Sequence, residues 1–472
     1  MRKFAIISIM LALASIAKAE TLTLDSCIQM ALRNNREIKA AHVRSLEQQQ
    51  TEKSYFANYF PNIAANGLYF NAFKNDSHID LNIGSLIPSE ITASAQAFAQ
   101  GLIGGIAKVD PQLAQQLATL GLPTLDNLEI NYKLQNIYSV GVSITQPIYM
   151  GGKITAAYKM NKLGTQMAQL NETLTSDQIV VQTSEAYSLL LKATEMHKVA
   201  LQYDSLLAQL ISDVESAERH GLRGHNEVLK VQVKKNEAEL QVLQAKNAIL
   251  LAQMNLCHYI GIALGSDIEI QEVNADQILP ADASATVLAR PEFNLLELKS
   301  QLAQQKIKLA RSEFLPQLGV QFAATYLHGG ELMGSTLLNS NTPVAYGVVN
   351  LTVPIWHGNE AQHKIKAAKY EYERTMLEQE NLVEKMNLEL QQAANVLNES
   401  IVELELARKS VEQAAENLRN SRRAFDVGLE SLSELLEAQT LWQQAYAKKA
   451  IAESQLIVNE AKYRKACGQL HR

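Results

Sequence analysis

Moved along itself by 207 residues, this sequence meets itself again. Pro147 lands on Pro354, Gly151 on Gly358, Gly221 on Gly428, Glu227 on Glu434, Gln232 on Gln439 and Gly261 on Gly468, without a gap. The flanks agree: Gln146-Pro147-Ile148-Tyr149 faces Val353-Pro354-Ile355-Trp356. An earlier block repeats at a shift of 255, pairing Glu37 with Glu292 and Pro61 with Pro316. The first copy therefore carries 48 more residues between its two blocks than the second. A repeated unit must bury its apolar surface against its twin or against further copies, which constrains the fold before any local propensity does. The boundaries read as a first repeat at 20–261 with an insertion at about 75–132, a connector at 262–289 and a second repeat at 290–468.

Residues 1–19 read as an export signal: Arg2 and Lys3, an apolar run from Phe4 to Ile16, and the small-x-small site Ala17-Lys18-Ala19. Without its three basic residues the chain keeps 40 basic and 49 acidic side chains, a net charge of −9. That argues against a nucleic-acid partner. Cys27, Cys257 and Cys467 fit no metal spacing and read as small buried hydrophobes. No later stretch reaches the roughly 18–20 consecutive apolar residues of a spanning helix. Any passage through a bilayer would have to be as a β-barrel, since lipid tolerates only helices and closed barrels.

Thr23 to Asn35 has the pattern of a short amphipathic helix capped by Thr23, and helix continues from Arg36 to Tyr59, stopping before Pro61. Strands are expected at Asn62 to Phe73, Asn136 to Gln146, Gln317 to Leu327 and Ala345 to Val353. In the second, Tyr138, Val140, Val142 and Ile144 alternate with Ser139, Gly141, Ser143 and Thr145. Their lengths, about 9–11 residues, suit tilted membrane strands. The alternation alone suits a soluble sheet with one wet face equally well. Two proline-free runs, Gly152 to His220 and Gly358 to Val427, predict helices about 100 Å long. Leu397, Ile401, Leu404, Arg408, Val411, Ala415, Leu418, Arg422 and Phe425 form a 4-3-4-3 seam. So do Leu229, Val233, Asn236, Leu240, Leu243, Asn247, Leu250, Met254 and Cys257. Both are coiled-coil seams with polar interruptions. Ser431 and Glu434 have the spacing of a capping box.

The order helix, strand, long loop, strand, very long helix, glycine turn, return helix, given twice, resembles the TolC-type outer-membrane efflux protein family. The motifs are Leu22-Thr23-Leu24 with Ala31-Leu32 and Asn34-Asn35, Phe60-Pro61 and Leu315-Pro316, Pro147-Ile148 and Pro354-Ile355, and Val427-Gly428-Leu429. The resemblance implies an α+β chain of long antiparallel coiled-coil helices, which form an α-barrel, plus four transmembrane β-strands. It also implies a homotrimer with a 12-stranded barrel. Physics leads there too: four strands cannot close a barrel, and an open edge is not tolerated in lipid. The implied location is the cell outer membrane, with a periplasmic helical tube. The implied role is the exit duct of a tripartite efflux pump, working with a periplasmic adaptor (membrane fusion protein) and an inner-membrane transporter. The docking tips would be Gly221, Leu222, Gly224, Val427, Gly428 and Leu429. Pro61, Pro147, Pro316 and Pro354 would mark the change from barrel to tube.

At the tip, Glu430, Glu434 and Glu437 are spaced i, i+4, i+7 and are expected on one helix face. Three chains would bring nine carboxylates to one constriction, a cation-selecting arrangement. The family has an acidic ring near this end, and Glu434, Glu437 and Glu227 fall on its positions. Its better-known members close the tip with a tyrosine and an arginine, where this chain has Phe425 and Glu430. Arg223 or His220 would then have to supply the positive charge. A solvated coiled-coil face would carry the same charges.

There is no phosphate loop, no nucleophile elbow and no paired histidines with a carboxylate on one helix, so the chain reads as no enzyme and needs no cofactor. Two rivals stay open. One is the outer-membrane duct of a type I protein secretion system; the other is a soluble periplasmic coiled-coil scaffold.

Overall fold

The computed structural model describes residues 21–70, 132–133, 137–328, 331–332 and 343–470. The expected export signal, nearly all of the expected 75–132 insertion and most of the second loop lie outside them. The chain divides into two compact units. One holds the described parts of Met1–Tyr55, Thr155–Ala310 and Glu360–Arg472; the other holds those of Phe56–Ile154 and Arg311–Asn359.

The first unit is helical. It contains α1 (Leu24–Asn34), most of α2 (Arg36–Ala57), α3 (Lys153–Arg219) and α4 (His225–Ile260), then most of α5 (Pro291–Ser312), α6 (Glu360–Asp426) and α7 (Leu432–Ala466). α3 and α6 each have 67 residues and start 207 apart. The duplication extends to backbone angles. Gly151, Gly221 and Gly261 have φ of 60°, 75° and 75°; Gly358, Gly428 and Gly468 have 58°, 78° and 71°. Gly152 at 82° matches Asn359 at 65°, and asparagine is a residue that tolerates the left-handed region.

The expected caps form. The Thr23 hydroxyl accepts from the Ser26 N–H at 3.1 Å, and Ser431 and Glu434 complete a reciprocal capping box. α2 ends at Ala57, two residues earlier than expected, because Tyr59 and Phe60 turn back onto Phe56 and Ala57 through backbone hydrogen bonds.

The connector is more ordered than its composition suggests. Leu22 N–H donates to Glu269 O, and Gln271 N–H to Leu22 O, forming a parallel bridge between Leu22 and Ile270. The buried Tyr187 hydroxyl sits between the Gln271 and Leu22 carbonyls at 2.5 and 3.0 Å. Two 3-10 turns, Ala275–Gln277 and Val287–Ala289, complete the connector. Around Tyr187 lie Cys27, Ile179, Leu190, Leu256, Cys257 and Ile260. A second core gathers Leu397, Leu404, Leu456, Tyr463 and Cys467. The three thiols are buried and free, and burial pushes that of Cys27 up to about 11.

The two heptad seams have different fates. The α6 seam is covered by its own chain: Leu397, Leu404 and Phe425 are buried, with Ile401, Ala415 and Leu418 packed at their sides. The α4 seam is not. Leu229, Val233, Leu240, Leu243, Leu250 and Met254 are all exposed, and only Cys257 is buried. Heptad spacing reports that a stripe wants a partner, not which chain supplies it.

The second unit is a four-stranded antiparallel sheet in the order β1 (Asn62–Phe70), β3 (Ile137–Met150), β4 (Gln317–His328), β6 (Val344–Thr352). Two short strands, β2 (Tyr132–Lys133) and β5 (Glu331–Leu332), form a separate pair. In the main sheet Ile63, Ile144, Phe322 and Gly347 lie in one row, and Ala65, Val142, Ala324 and Ala345 in the next. Phe322 lies over Gly347, where an added Cβ would stand 3.1 Å from the ring.

β3 continues to Met150 rather than ending at Gln146. Pro147 is thus inside a strand and not at its exit. The strand survives it through a bulge: the register with β4 shifts between Pro147 and Tyr149, at a site where a missing N–H is tolerated. The extra residue brings Tyr149 opposite Leu318, back onto the apolar face. Gln146, the polar residue that falls on that face, donates its amide to Tyr59 O and Pro147 O.

Candidate functional site

The turns α3–α4 and α6–α7 lie at the ends of two helical hairpins within the helical unit. Each is built the same way. Gly221 N–H bonds Glu218 O and Leu222 N–H bonds Ala217 O; Gly428 N–H bonds Phe425 O and Leu429 N–H bonds Ala424 O. This double closure with a left-handed glycine satisfies the last carbonyls of the outgoing helix. In such turns an apolar residue after the glycine frequently packs back on the helix. Here Leu222 and Leu429 are instead 78% and 81% exposed, and Val427 also faces solvent. Gly224 opens α4 in extended conformation with no side-chain cap.

Beneath the turns the hairpins share one apolar core. Tyr203, Leu207, Leu210 and Val214 of α3 meet Val228 and Val231 of α4, Phe425 of α6, and Leu432, Leu435 and Trp442 of α7. Polar links cross it. Arg422 donates to Asp213 of α3 and pairs with Asp426 at 3.3 Å. Arg223, mostly buried, bonds Glu227 at 3.0 Å, and its guanidinium carbon lies 4.1 Å from the Phe425 ring centroid. A cation over an aromatic face at this range is attractive.

The structure distributes the acidic residues rather than aligning them. Glu430 is not on the face expected for it, because α7 begins at Leu432 and Glu430 precedes the Ser431 cap. Its carboxylate turns back to accept from the Ser421 hydroxyl. Glu434 lies in the first turn of α7 and accepts from the Ser431 N–H at 2.7 Å and the Ser431 hydroxyl at 2.8 Å. Those two bonds, the backbone one first, hold its carboxyl below the usual carboxylate range. Glu227 is taken by Arg223. Glu437 is exposed and has no ion-pair partner among the described residues.

Arg223 meets Phe425, whereas His220 bonds its own helix at Ser216 O, 2.7 Å away. A hydrogen bond the spacing did not suggest joins His225 Nδ1 to Glu218 Oε1 at 2.8 Å, seven residues apart across the turn. Among the described residues no three acidic, histidine or cysteine groups gather as a metal site, and no helix is long and apolar enough to cross a membrane.

Pro61 immediately precedes β1, Pro316 immediately precedes β4 and Pro354 follows β6. An added Cβ on Gly151 would stand 2.5 Å from Ser312 O, so the chain leaving β3 passes tightly by the end of α5.

The sequence profile of the outer membrane efflux protein family matches residues 117–262 and 284–469. Escherichia coli outer membrane protein TolC is 21% identical over 213 residues, and the match spans 43% of this chain and 43% of TolC. Two solved channels share the fold. The CmeC outer membrane channel of Campylobacter jejuni superimposes with a TM-score of 0.71 at 17% identity, over 95% of this chain and 87% of its own. The outer membrane protein VceC of Vibrio cholerae gives 0.70 at 14% identity, over 94% and 96%. With a profile match over both copies and the duplicated hairpin-and-strand architecture in place, this chain belongs to the outer membrane efflux protein family, whose TolC-type members are channels and not enzymes.

Proposed function

We propose that this chain is the outer-membrane exit duct of a tripartite efflux pump, passing small toxic compounds from periplasm to exterior. It works as a homotrimer that docks a periplasmic adaptor and an inner-membrane transporter. One observation carries this: the sheet leaves the outer edges of β1 and β6 unpaired among the described residues. Each neighbouring pair of strands is antiparallel, so β6 of one chain runs antiparallel to β1 of the next. Three sheets of four then close a 12-stranded barrel and leave no edge in lipid. The uncovered α4 seam supports the same assembly. α6 carries a second exposed stripe, Tyr370, Leu377, Leu388, Val402 and Leu406, and two different stripes on one chain allow a closed heterologous ring.

In this reading residues 1–19 are a cleaved export signal, and Tyr149, Ile355 and Trp356, all exposed, sit in the lipid interface. Leu222 and Leu429 are the apolar contacts offered to the adaptor, since water gains nothing from their exposure. The tip opens when docking separates the two hairpins, breaking Arg223–Phe425 and Arg422–Asp213. Glu434 and Glu437 then line the aperture.

The test is accumulation of a fluorescent efflux dye in cells deleted for this gene. Wild type restores low accumulation, while Leu222→Asp with Leu429→Asp reaches the outer membrane but leaves accumulation high. Equal accumulation with and without the gene would contradict the function. Full complementation by the double variant would contradict the docking role.

A further inference from the structure

Two of the three cysteines share one core. Cys27 on α1 and Cys257 on α4 are 230 residues apart in sequence, yet both are fully buried in the cluster around Tyr187. The two helices are held together at this end. The Asn35 side-chain amide donates to Tyr259 O at 2.9 Å, and an added Cβ on Gly261 would stand 2.7 Å from Asn34 Cβ. Burial raises the Cys27 thiol first, and the neighbouring sulfur of Cys257 raises it further, so the two groups feel each other's charge. The Cys257 thiol reaches Ser266 O only at 3.8 Å. Cys467 is set apart. It lies in the core of Leu397, Leu404 and Tyr463, which holds no other cysteine among the described residues. Its thiol turns to Arg464 O, 3.4 Å away, in the last turn of α7.

We propose that Cys27 and Cys257 are a disulfide-forming pair in the exported chain, tying α1 to the far end of α4, and that Cys467 stays a thiol. This rests on the export reading above, because disulfides form and persist in the periplasm and not in the cytoplasm. The oxidant is a protein disulfide of that compartment. One cysteine thiolate attacks it, forming a mixed disulfide and releasing one of its sulfurs. The second cysteine thiolate attacks the mixed disulfide, closes the Cys27–Cys257 bond and releases the other sulfur. Two electrons pass to the oxidant, and its two sulfurs take up the two protons the thiols lose. The step belongs to folding. Once the core has closed, both sulfurs are out of reach and burial suppresses the thiolate that must attack. The bond then closes a loop spanning nearly the whole first repeat, so it acts mainly by restricting the unfolded chain. It also fixes α4 at the end away from its turn, since Cys257 is 32 residues from His225, roughly 48 Å along the helix.

The experiment counts thiols in the full gene product, expressed in a Gram-negative host that has a periplasmic dithiol oxidase. Membranes are quenched in acid, the chain is denatured and alkylated with N-ethylmaleimide without reductant, and its peptides are mapped by mass spectrometry. One alkylated cysteine, Cys467, is expected, together with a peptide joining Cys27 to Cys257; after reduction all three are alkylated. Three alkylated cysteines without reduction, in a chain that has lost residues 1–19, overturn the pairing and leave the export reading intact. A link from either cysteine to Cys467 overturns it as well. A chain that keeps residues 1–19 contradicts the export reading instead. The same count on residues 20–472, placed behind the signal of a known exported protein, then decides the pairing by the same two results.

Discussion

Arg223 lies over the ring of Phe425 at 4.1 Å, joining the turn of the first hairpin to the outgoing helix of the second across 202 positions of sequence. Phe425 is buried, and Arg223 keeps its charge partnered by Glu227. Such a contact is worth about 1–2 kcal/mol when largely desolvated. Arg223→Ala and Phe425→Leu are each expected to raise the open probability of the channel in planar bilayers. Because both act through one contact, the double variant should gain no more than the larger single effect. Simple addition of the two would show that they act separately.

Glu434 ties a pH dependence to the capping box. Its carboxyl is held low by hydrogen bonds from Ser431. A depressed carboxyl contributes stability at pH above its unfolded value near ~4.3 and loses that contribution as pH falls through the lower folded value. Glu434→Ala should therefore lower the melting temperature at neutral pH. The gap to wild type should narrow as the pH falls below the unfolded value and close only below the depressed folded one. A gap that widens on acidification would contradict the assignment.

Cation binding at the tip should depend more on Glu437 than on Glu434. Glu434 already accepts two hydrogen bonds, while Glu437 is exposed and without an ion-pair partner among the described residues. Glu437→Gln is expected to weaken block by periplasmic multivalent cations more than Glu434→Gln. Titration of block in planar bilayers measures both, and the opposite order would remove Glu437 from the aperture.

Two left-handed glycines should respond differently to alanine. Gly221 has no atom within 4 Å of an added Cβ, so Gly221→Ala costs only backbone strain, about 1–2 kcal/mol. At Gly261 the same Cβ would stand 2.7 Å from Asn34 Cβ and 2.8 Å from Asn34 O. Gly261→Ala adds displacement of α1 to that strain and should cost about 3 kcal/mol or more. Chemical denaturation of the two variants measures the contrast.

The glycine pairs, the long helices, the caps and the strand positions were legible because each depends on residues near in sequence. Gly428 needs only its own φ, and Thr23 only the N–H three residues on. What was not legible depends on partners far away. The α4 seam has the same spacing as the α6 seam, and nothing in Leu240 or Leu243 says that its own chain leaves it uncovered. Glu430 lies outside α7 because of the adjacent Ser431 cap, which was readable, but that its carboxylate turns back to Ser421 was not. The bulge that carries β3 past Pro147 depends on the register with β4, some 170 residues downstream. Phe425 stands where the family's better-known members have a closing tyrosine, but the ring contact that gives it a cation to hold is a product of tertiary packing.

In the proposed trimer, neighbouring copies complete what one chain leaves open, the edges of β1 and β6 and the seam of α4. Native mass spectrometry of the detergent-purified protein measures this directly. The expected species has three times the mass of the processed chain, and Leu240→Asp with Leu243→Asp should shift it toward single chains. A lone subunit as the dominant species of the wild-type protein, still inserted and conducting, would contradict the account.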